Sequence, residues 1–142
     1  MLISVIITTY NSPNFLQRCI NSFLDQEDSH FEIIVADDGS KEETKLLIKK
    51  YKDSHLNIKH AWHEDKGFRA AKIRNEAVKK SSGEYLIFID GDCVAFNDFI
   101  TNHKIISEKG FFARGNRIML SKRFSNILIK KNFNINLISF MK

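Results

Sequence analysis

Apolar residues gather in four short runs, at 2–8, 31–36, 58–62 and 85–89, each bounded by polar or turn-forming residues. The first, second and fourth are almost unbroken Ile, Val, Leu and Phe. That pattern predicts parallel strands buried on both faces. Helical patterns fill the gaps. Ser12 is placed to cap and Pro13 suits a first helical position, after which Phe15, Leu16, Cys19, Ile20, Phe23 and Leu24 share one face. Ser40 and Glu43 have the spacing of a capping box, followed by a stripe of Leu46, Leu47 and Tyr51. From Gly67 onward, Ala70, Ala71, Ile73, Ala77 and Val78 form a small-residue face that ends at Ser82-Gly83. Residues 98–107 predict another helix with Phe99, Ile100, His103 and Ile106 inward. Residues 124–142 carry a further helical period.

The order β-α-β-α-β-α-β predicts an α/β fold with right-handed crossovers. Ligands of such sheets bind beyond the carboxyl ends of the strands. Four polar clusters are expected at that edge: residues 8–11, 37–40, 63–69 and 90–92.

Composition narrows the classes. The chain has 142 residues, 43% hydrophobic, with 12 Phe against one Trp and one Pro, which suits one packed domain. Charge is uneven: residues 1–108 hold all 17 acids and 14 of the 22 Lys and Arg, while 109–142 hold the other eight bases and no acid. A basic end of this kind is either a solvated face or a surface for phosphates, a membrane or an acidic partner. Cys19 and Cys93 have no metal-type spacing, so a reducing compartment, the cytoplasm, is expected. The apolar start lacks a basic n-region and runs into Thr8-Thr9, so it reads as a buried strand rather than a signal peptide or span.

The chemistry-bearing residues sit in those four clusters. In Asp90-Gly91-Asp92, two carboxylates two apart on a turn can converge on a hard cation and a diphosphate, although a solvated turn has the same residues. Asp37-Asp38-Gly39-Ser40 supplies a carboxylate for a base or ribose beyond what a helix cap requires. Tyr10, just past a strand end, either stacks on a base or covers the first helix. Lys66, Arg69, Lys72 and Arg74 stand near a helix start, where cations are disfavoured unless an anion joins them. His63 and His103 are each a metal ligand, a base or neither. No G-x-G-x-x-G follows the first strand, no P-loop occurs and no nucleophile elbow is present, which excludes three common α/β enzyme classes.

Taken in order, Val5 to Asn11, Val35 to Ser40, Gly67 to Asn75 and Gly83 to Asp92 resemble the family 2 glycosyltransferases. The Glu64-Asp65-Lys66-Gly67-Phe68-Arg69 stretch and Arg114-Gly115-Asn116-Arg117 resemble bacterial members that build surface polysaccharides, chondroitin-polymerase-like enzymes among them. The resemblance implies a GT-A (Rossmann-like) nucleotide-sugar-binding domain over residues 1–120, with a mostly parallel sheet flanked by helices. Residues 121–142 would then be a basic segment opening an acceptor-side region that is truncated. It implies an inverting, metal-dependent sugar transfer from a nucleotide-diphosphate sugar, usually a UDP-sugar, to a glycan or lipid-linked acceptor. Thr8, Tyr10 and Asp38 match positions that hold the base and ribose. Asp90 would lie near ribose and diphosphate. Asp92 would bind Mn2+ or Mg2+, and Arg69, Lys72 and Arg74 would face the donor. The family's base lies downstream of D-x-D, and no Asp or Glu follows Glu108, so the catalytic base is expected to be absent from this chain. The other readings are a donor-binding fragment without turnover and an anionic-surface-binding module. Peripheral contact at the inner membrane face through the basic tail is expected, and a nucleic-acid partner is not.

Overall fold

The computed structural model describes residues 1–54 and 56–131. Four strands form one parallel sheet: β1 (Ile3–Thr9), β2 (Phe31–Asp37), β3 (Ile58–Trp62) and β4 (Tyr85–Asp90). Helices α1 (Pro13–Leu24), α2 (Glu42–Asp53) and α3 (Ala70–Lys80) alternate with them, followed by α4 (Phe99–Ile106) and α5 (Lys122–Lys131). The strand order is β3-β2-β1-β4, so the chain builds outward from β1 and then returns to its other side. The β1–β4 boundary is therefore the point where strand order reverses, the usual place for a ligand crevice.

Side-chain alternation divides the core. Ile3, Val5 and Ile7 of β1, with Ile33 and Val35 of β2, pack on Leu16, Ile20 and Phe23 of α1, Ile48 and Tyr51 of α2 and Ile100 of α4. On the other face Ile6, Ile34, Ala36 and Ala61 meet Ile73 and Ala77 of α3. Small residues there let α3 lie close to the sheet. Each fully buried Ile contributes about 1.5–3 kcal/mol over an exposed one.

Several expectations need correction. β4 is an edge strand, and Phe88 is 51% exposed because α3 packs mainly on β1, β2 and β3. The Ser40–Glu43 capping box does not form. α2 starts at Glu42 with Lys41 at its cap, and the Ser40 hydroxyl instead accepts the Asn11 N–H at 2.8 Å. The buried stripe of α2 runs Thr44, Ile48 and Tyr51, leaving Leu46 exposed. Ser12 is the cap residue of α1 but makes no side-chain cap bond; its hydroxyl donates to the Tyr10 carbonyl. Phe15, Leu24 and Ile106 are exposed rather than inward. The period expected over 124–142 is met by α5 as far as Lys131, and its remainder lies outside the described residues.

A charge interrupts the apolar β2 run at Glu32, which is 2% exposed. Its carboxylate accepts from the Ser4 hydroxyl at 2.7 Å and the Ser82 N–H at 2.5 Å, and pairs with Lys59 at 2.7 Å. Burial pushes its pKa up, but Lys59, Ser4 and Ser82 together pull it below the ordinary value. This network ties β1, β2, β3 and the turn before β4 at the end of the sheet opposite the polar clusters.

Candidate functional site

The carboxyl ends of β1, β2 and β4 converge. Thr8 pairs with Ala36 on one side and Asp90 on the other, and Thr9 with Asp37. The two acidic turns hang on consecutive carbonyls of β1: Asp38 N–H donates to Thr9 O at 3.0 Å, and Gly91 N–H to Thr8 O at 2.8 Å. Both turns thus bracket the tip of the same strand. A Cβ at Gly91 would lie 3.0 Å from Thr8 O, so the glycine permits close approach to β1.

Asp37 and Asp38 are both buried but meet different partners. Asp37 is wholly buried, accepting the Ser40 N–H at 2.8 Å and contacting His60 Nε2 at 2.9 Å. Asp38 contacts His63 Nε2 at 2.6 Å through one oxygen and accepts the Arg69 N–H at 2.9 Å through the other. Around them the turns are laced together. Besides the Asn11–Ser40 bond, Lys41 N–H donates to the Asn11 side-chain oxygen at 2.9 Å. Asn11 holds a left-handed φ of 46°. Gly39 has φ of 96°, and a Cβ there would come within 2.6 Å of Asp65 Cα, so the loop over 63–69 lies directly on this turn.

That loop also reaches Tyr10, whose hydroxyl donates to Asp65 Oδ2 at 2.8 Å. The hydrogen bond to Asp65, then its charge, raises the Tyr10 pKa, while Tyr10 and the Gly67 N–H lower that of Asp65. Tyr10 is half-exposed. Arg69 caps α3 and its guanidinium donates to the Glu64 carbonyl.

On the β4 side, Arg74 reaches from α3 to donate from Nε to the Thr8 hydroxyl at 2.8 Å and from its terminal nitrogen to Asp90 Oδ1 at 3.1 Å. Arg117 donates to the other Asp90 oxygen at 3.3 Å. Asp92 is exposed next to them, with the Cys93 thiol 3.7 Å from one of its oxygens. The chain beyond is fixed to α1: Ala95 N–H donates to the Ser22 hydroxyl, Gln26 donates to Phe96 O, and its amide oxygen accepts from Ile100 N–H. These bonds hold the turn carrying Asp92 in place.

The fold therefore brings together Thr8, Tyr10, Asp38, Arg69, Arg74, Asp90 and Asp92. Lys72 stands exposed on α3 near Glu76, whose pKa is lowered chiefly by its hydrogen bond and ion pair with Lys79, and Lys66 pairs with Glu64 at 3.0 Å. His103 does not belong to the site. It contacts the Tyr85 hydroxyl at 3.2 Å at the amino end of β4 and packs edge-on to Phe99, and burial lowers its pKa. Sequence spacing gave no sign that Asp65 serves Tyr10 or that Arg117 reaches Asp90, since both depend on loops folding back across the strand tips.

Among the described residues, no cluster of three or more His, Cys, Asp or Glu could hold a metal by itself. Asp92 offers hard carboxylate oxygens, whereas both Asp90 oxygens are paired, with Arg74 and Arg117. A divalent cation held by one or two carboxylates and substrate phosphates needs no more from the protein.

A parallel sheet with its polar groups gathered at the strand-order reversal defines an α/β protein whose ligand site lies at the carboxyl ends of its strands. Residues 4–103 match the family described as Glycosyl transferase family 2, and the chain belongs to that family. It is 36% identical over 94 residues to the poly(ribitol-phosphate) beta-N-acetylglucosaminyltransferase TarS of Staphylococcus aureus, covering 65% of this chain and 16% of that protein. It is 36% identical over 135 residues to an Escherichia coli UDP-Glc:alpha-D-GlcNAc-diphosphoundecaprenol beta-1,3-glucosyltransferase, WfaP, covering 93% of this chain and 48% of that one. The crystal structure of S. aureus TarS 1–349 in complex with UDP-GlcNAc superposes with a TM-score of 0.66 at 31% identity, over 74% of this chain and 30% of that chain. A Pyrobaculum calidifontis mannosyltransferase shares the fold, with a TM-score of 0.62 at 22% identity over 72% of this chain and 31% of that one. The chain thus spans from about one sixth to half the length of these curated relatives.

Proposed function

We propose that the chain binds a UDP-sugar and serves sugar transfer, with inversion, to a glycan or lipid-linked acceptor. The observation that carries this reading is the bracketing of the β1 tip by two acidic turns, Asp38 on one side and Asp90-Gly91-Asp92 on the other. A nucleoside spans the first and a diphosphate the second. Thr8, Tyr10 and Asp38 hold base and ribose: the half-exposed Tyr10 ring offers a stacking face and Asp38 a fixed acceptor. Asp90 lies toward the ribose and diphosphate, with Arg69, Lys72 and Arg74 supplying positive charge. Asp92 is the carboxylate for Mn2+ or Mg2+, with Asp90 beside it. The cation, when bound, neutralises charge on the departing diphosphate.

In the reaction the acceptor oxygen bonds to the anomeric carbon as the carbon–oxygen bond to the diphosphate breaks on the opposite face, and the hydroxyl proton passes to a base. No acid follows Glu108, and no residue of this chain is assigned as that base. Residues 1–120 are read as the donor unit and 121–142 as a basic segment on the acceptor side. Two of the relatives, TarS and WfaP, are named for transfer of N-acetylglucosamine and glucose, which supports a nucleotide-hexose donor.

A cytoplasmic protein meeting the inner face of the membrane is the accompanying reading. It is supported by the acid-free basic stretch after Glu108, with exposed Phe111, Phe112, Ile118 and Met119 among its charges. No helix among the described residues is long and apolar enough to cross a membrane.

Calorimetric titration with UDP, with and without Mn2+, tests the donor site. Asp92→Ala should remove the Mn2+-dependent part of the affinity. Unchanged Mn2+-dependent binding would overturn the metal assignment, and no UDP binding by the unmodified chain would overturn the donor site.

A further inference from the structure

His63 and His60 make parallel contacts with adjacent acids, yet the consequences differ. His60 meets Asp37, which is wholly buried and whose other oxygen accepts an N–H from its own turn, that of Ser40. His63 meets Asp38, whose second oxygen is held by the Arg69 N–H. A carboxylate only accepts, so His63 Nε2 is the donor of that 2.6 Å contact. Its other ring nitrogen, Nδ1, is buried with no hydrogen-bond partner among the described residues. The Asp38 contact is thus the one polar restraint recorded on the ring. Both side chains are largely withdrawn from water, at 14% and 5% exposed, so the bond is not screened as a surface pair would be.

We propose that His63 is a positioning residue for nucleotide recognition, acting through Asp38. This rests on the donor-site reading above and extends it by one residue. The Arg69 N–H and His63 Nε2–H clamp the Asp38 carboxylate from both ends, fixing the plane in which its lone pairs meet a nucleoside. His60 and Asp37 do the corresponding job for the turn alone. The two acids of one Asp-Asp pair are then divided between recognition and architecture by the histidine each meets.

The test is UDP affinity by calorimetry, alongside Tm, on the full chain. Glutamine places its amide nitrogen where Nε2 stood and can still donate to Asp38; asparagine is shorter and cannot. His63→Ala and His63→Asn should each weaken UDP binding about tenfold, and His63→Gln should hold within about threefold. His60→Ala should lower Tm with affinity within about twofold. In an Asp38→Asn background, His63→Ala should add less than about twofold, because the two act as one unit. If the unmodified chain binds UDP and all three His63 variants bind equally well, or lose affinity equally with Gln giving no rescue, the positioning role is overturned while the donor site stands. If the unmodified chain does not bind UDP, the donor site and this role fall together.

Discussion

Neighbours in sequence need not share a job, and Asp37 and Asp38 illustrate why. Strand alternation sends consecutive side chains to opposite faces, and the turn after β2 inherits that divergence. The same logic separates Thr8, which meets Arg74, from Thr9, which is buried. Tyr10 gives a measurable consequence. Asp65 stabilises its protonated phenol, so Asp65→Ala should bring the Tyr10 pKa down toward the ordinary value of 10.0, followed by ultraviolet titration; no movement would dissociate the pair. Arg74 has a different signature. Its pair with Asp90 is partly exposed, at 38% and 50%, so Arg74→Ala should cost under about 1 kcal/mol of stability. It should nonetheless weaken UDP binding about tenfold, since it removes a cation beside the diphosphate position. A large fall in Tm with unchanged affinity would make Arg74 structural.

At the scale of elements, β4 and β2 show what an edge position changes. Ile87 is 5% exposed and Phe88 51%, although both belong to one apolar run. Ile87→Ala should therefore destabilise by about 2–5 kcal/mol and Phe88→Ala by about 1 kcal/mol or less, compared by denaturant unfolding. β2 carries the opposite case, a charge inside the sheet. Glu32→Ala leaves Lys59, Ser4 and Ser82 without their shared acceptor and should cost about 3 kcal/mol. The folded-state pKa of Glu32 is lowered, so its contribution is complete above the ordinary glutamate pKa of 4.5 and is lost as pH falls through the lower folded value. Glu32→Gln should accordingly flatten the acid limb of the stability curve below that pH. An identical limb would mean the network does not discriminate charged from neutral Glu32.

Across the whole molecule, charge and chemistry are segregated along the chain. The acids lie in residues 1–108, which build the sheet and its carboxyl edge, and the basic stretch begins after Glu108. Arg117 of that stretch returns to Asp90, and α5 lies beside α1, so the basic stretch touches the sheet-bearing part at these two places among the described residues. If the stretch also meets a membrane, the chain should sediment with anionic vesicles at low salt, be released at high salt and ignore neutral vesicles. Binding that is indifferent to salt and lipid charge would exclude the electrostatic surface.

Strand count, order of elements and the placement of Asp38 and Asp92 after strands were legible in sequence, because buried strands impose an apolar run and strand tips impose a polar break. The helix caps were not, since Ser40 and Ser12 had local alternatives that the chain took. Linear pattern thus determined which residues are apolar, where each strand ends and which polar residues stand there. Only the tertiary structure decided that Asp65 serves Tyr10, that His63 serves Asp38, that Arg74 and Arg117 share Asp90, and that Phe88 is left uncovered. Each of these joins segments far apart in sequence, and a periodicity of two or 3.6 residues carries no information about which distant segment a side chain will meet.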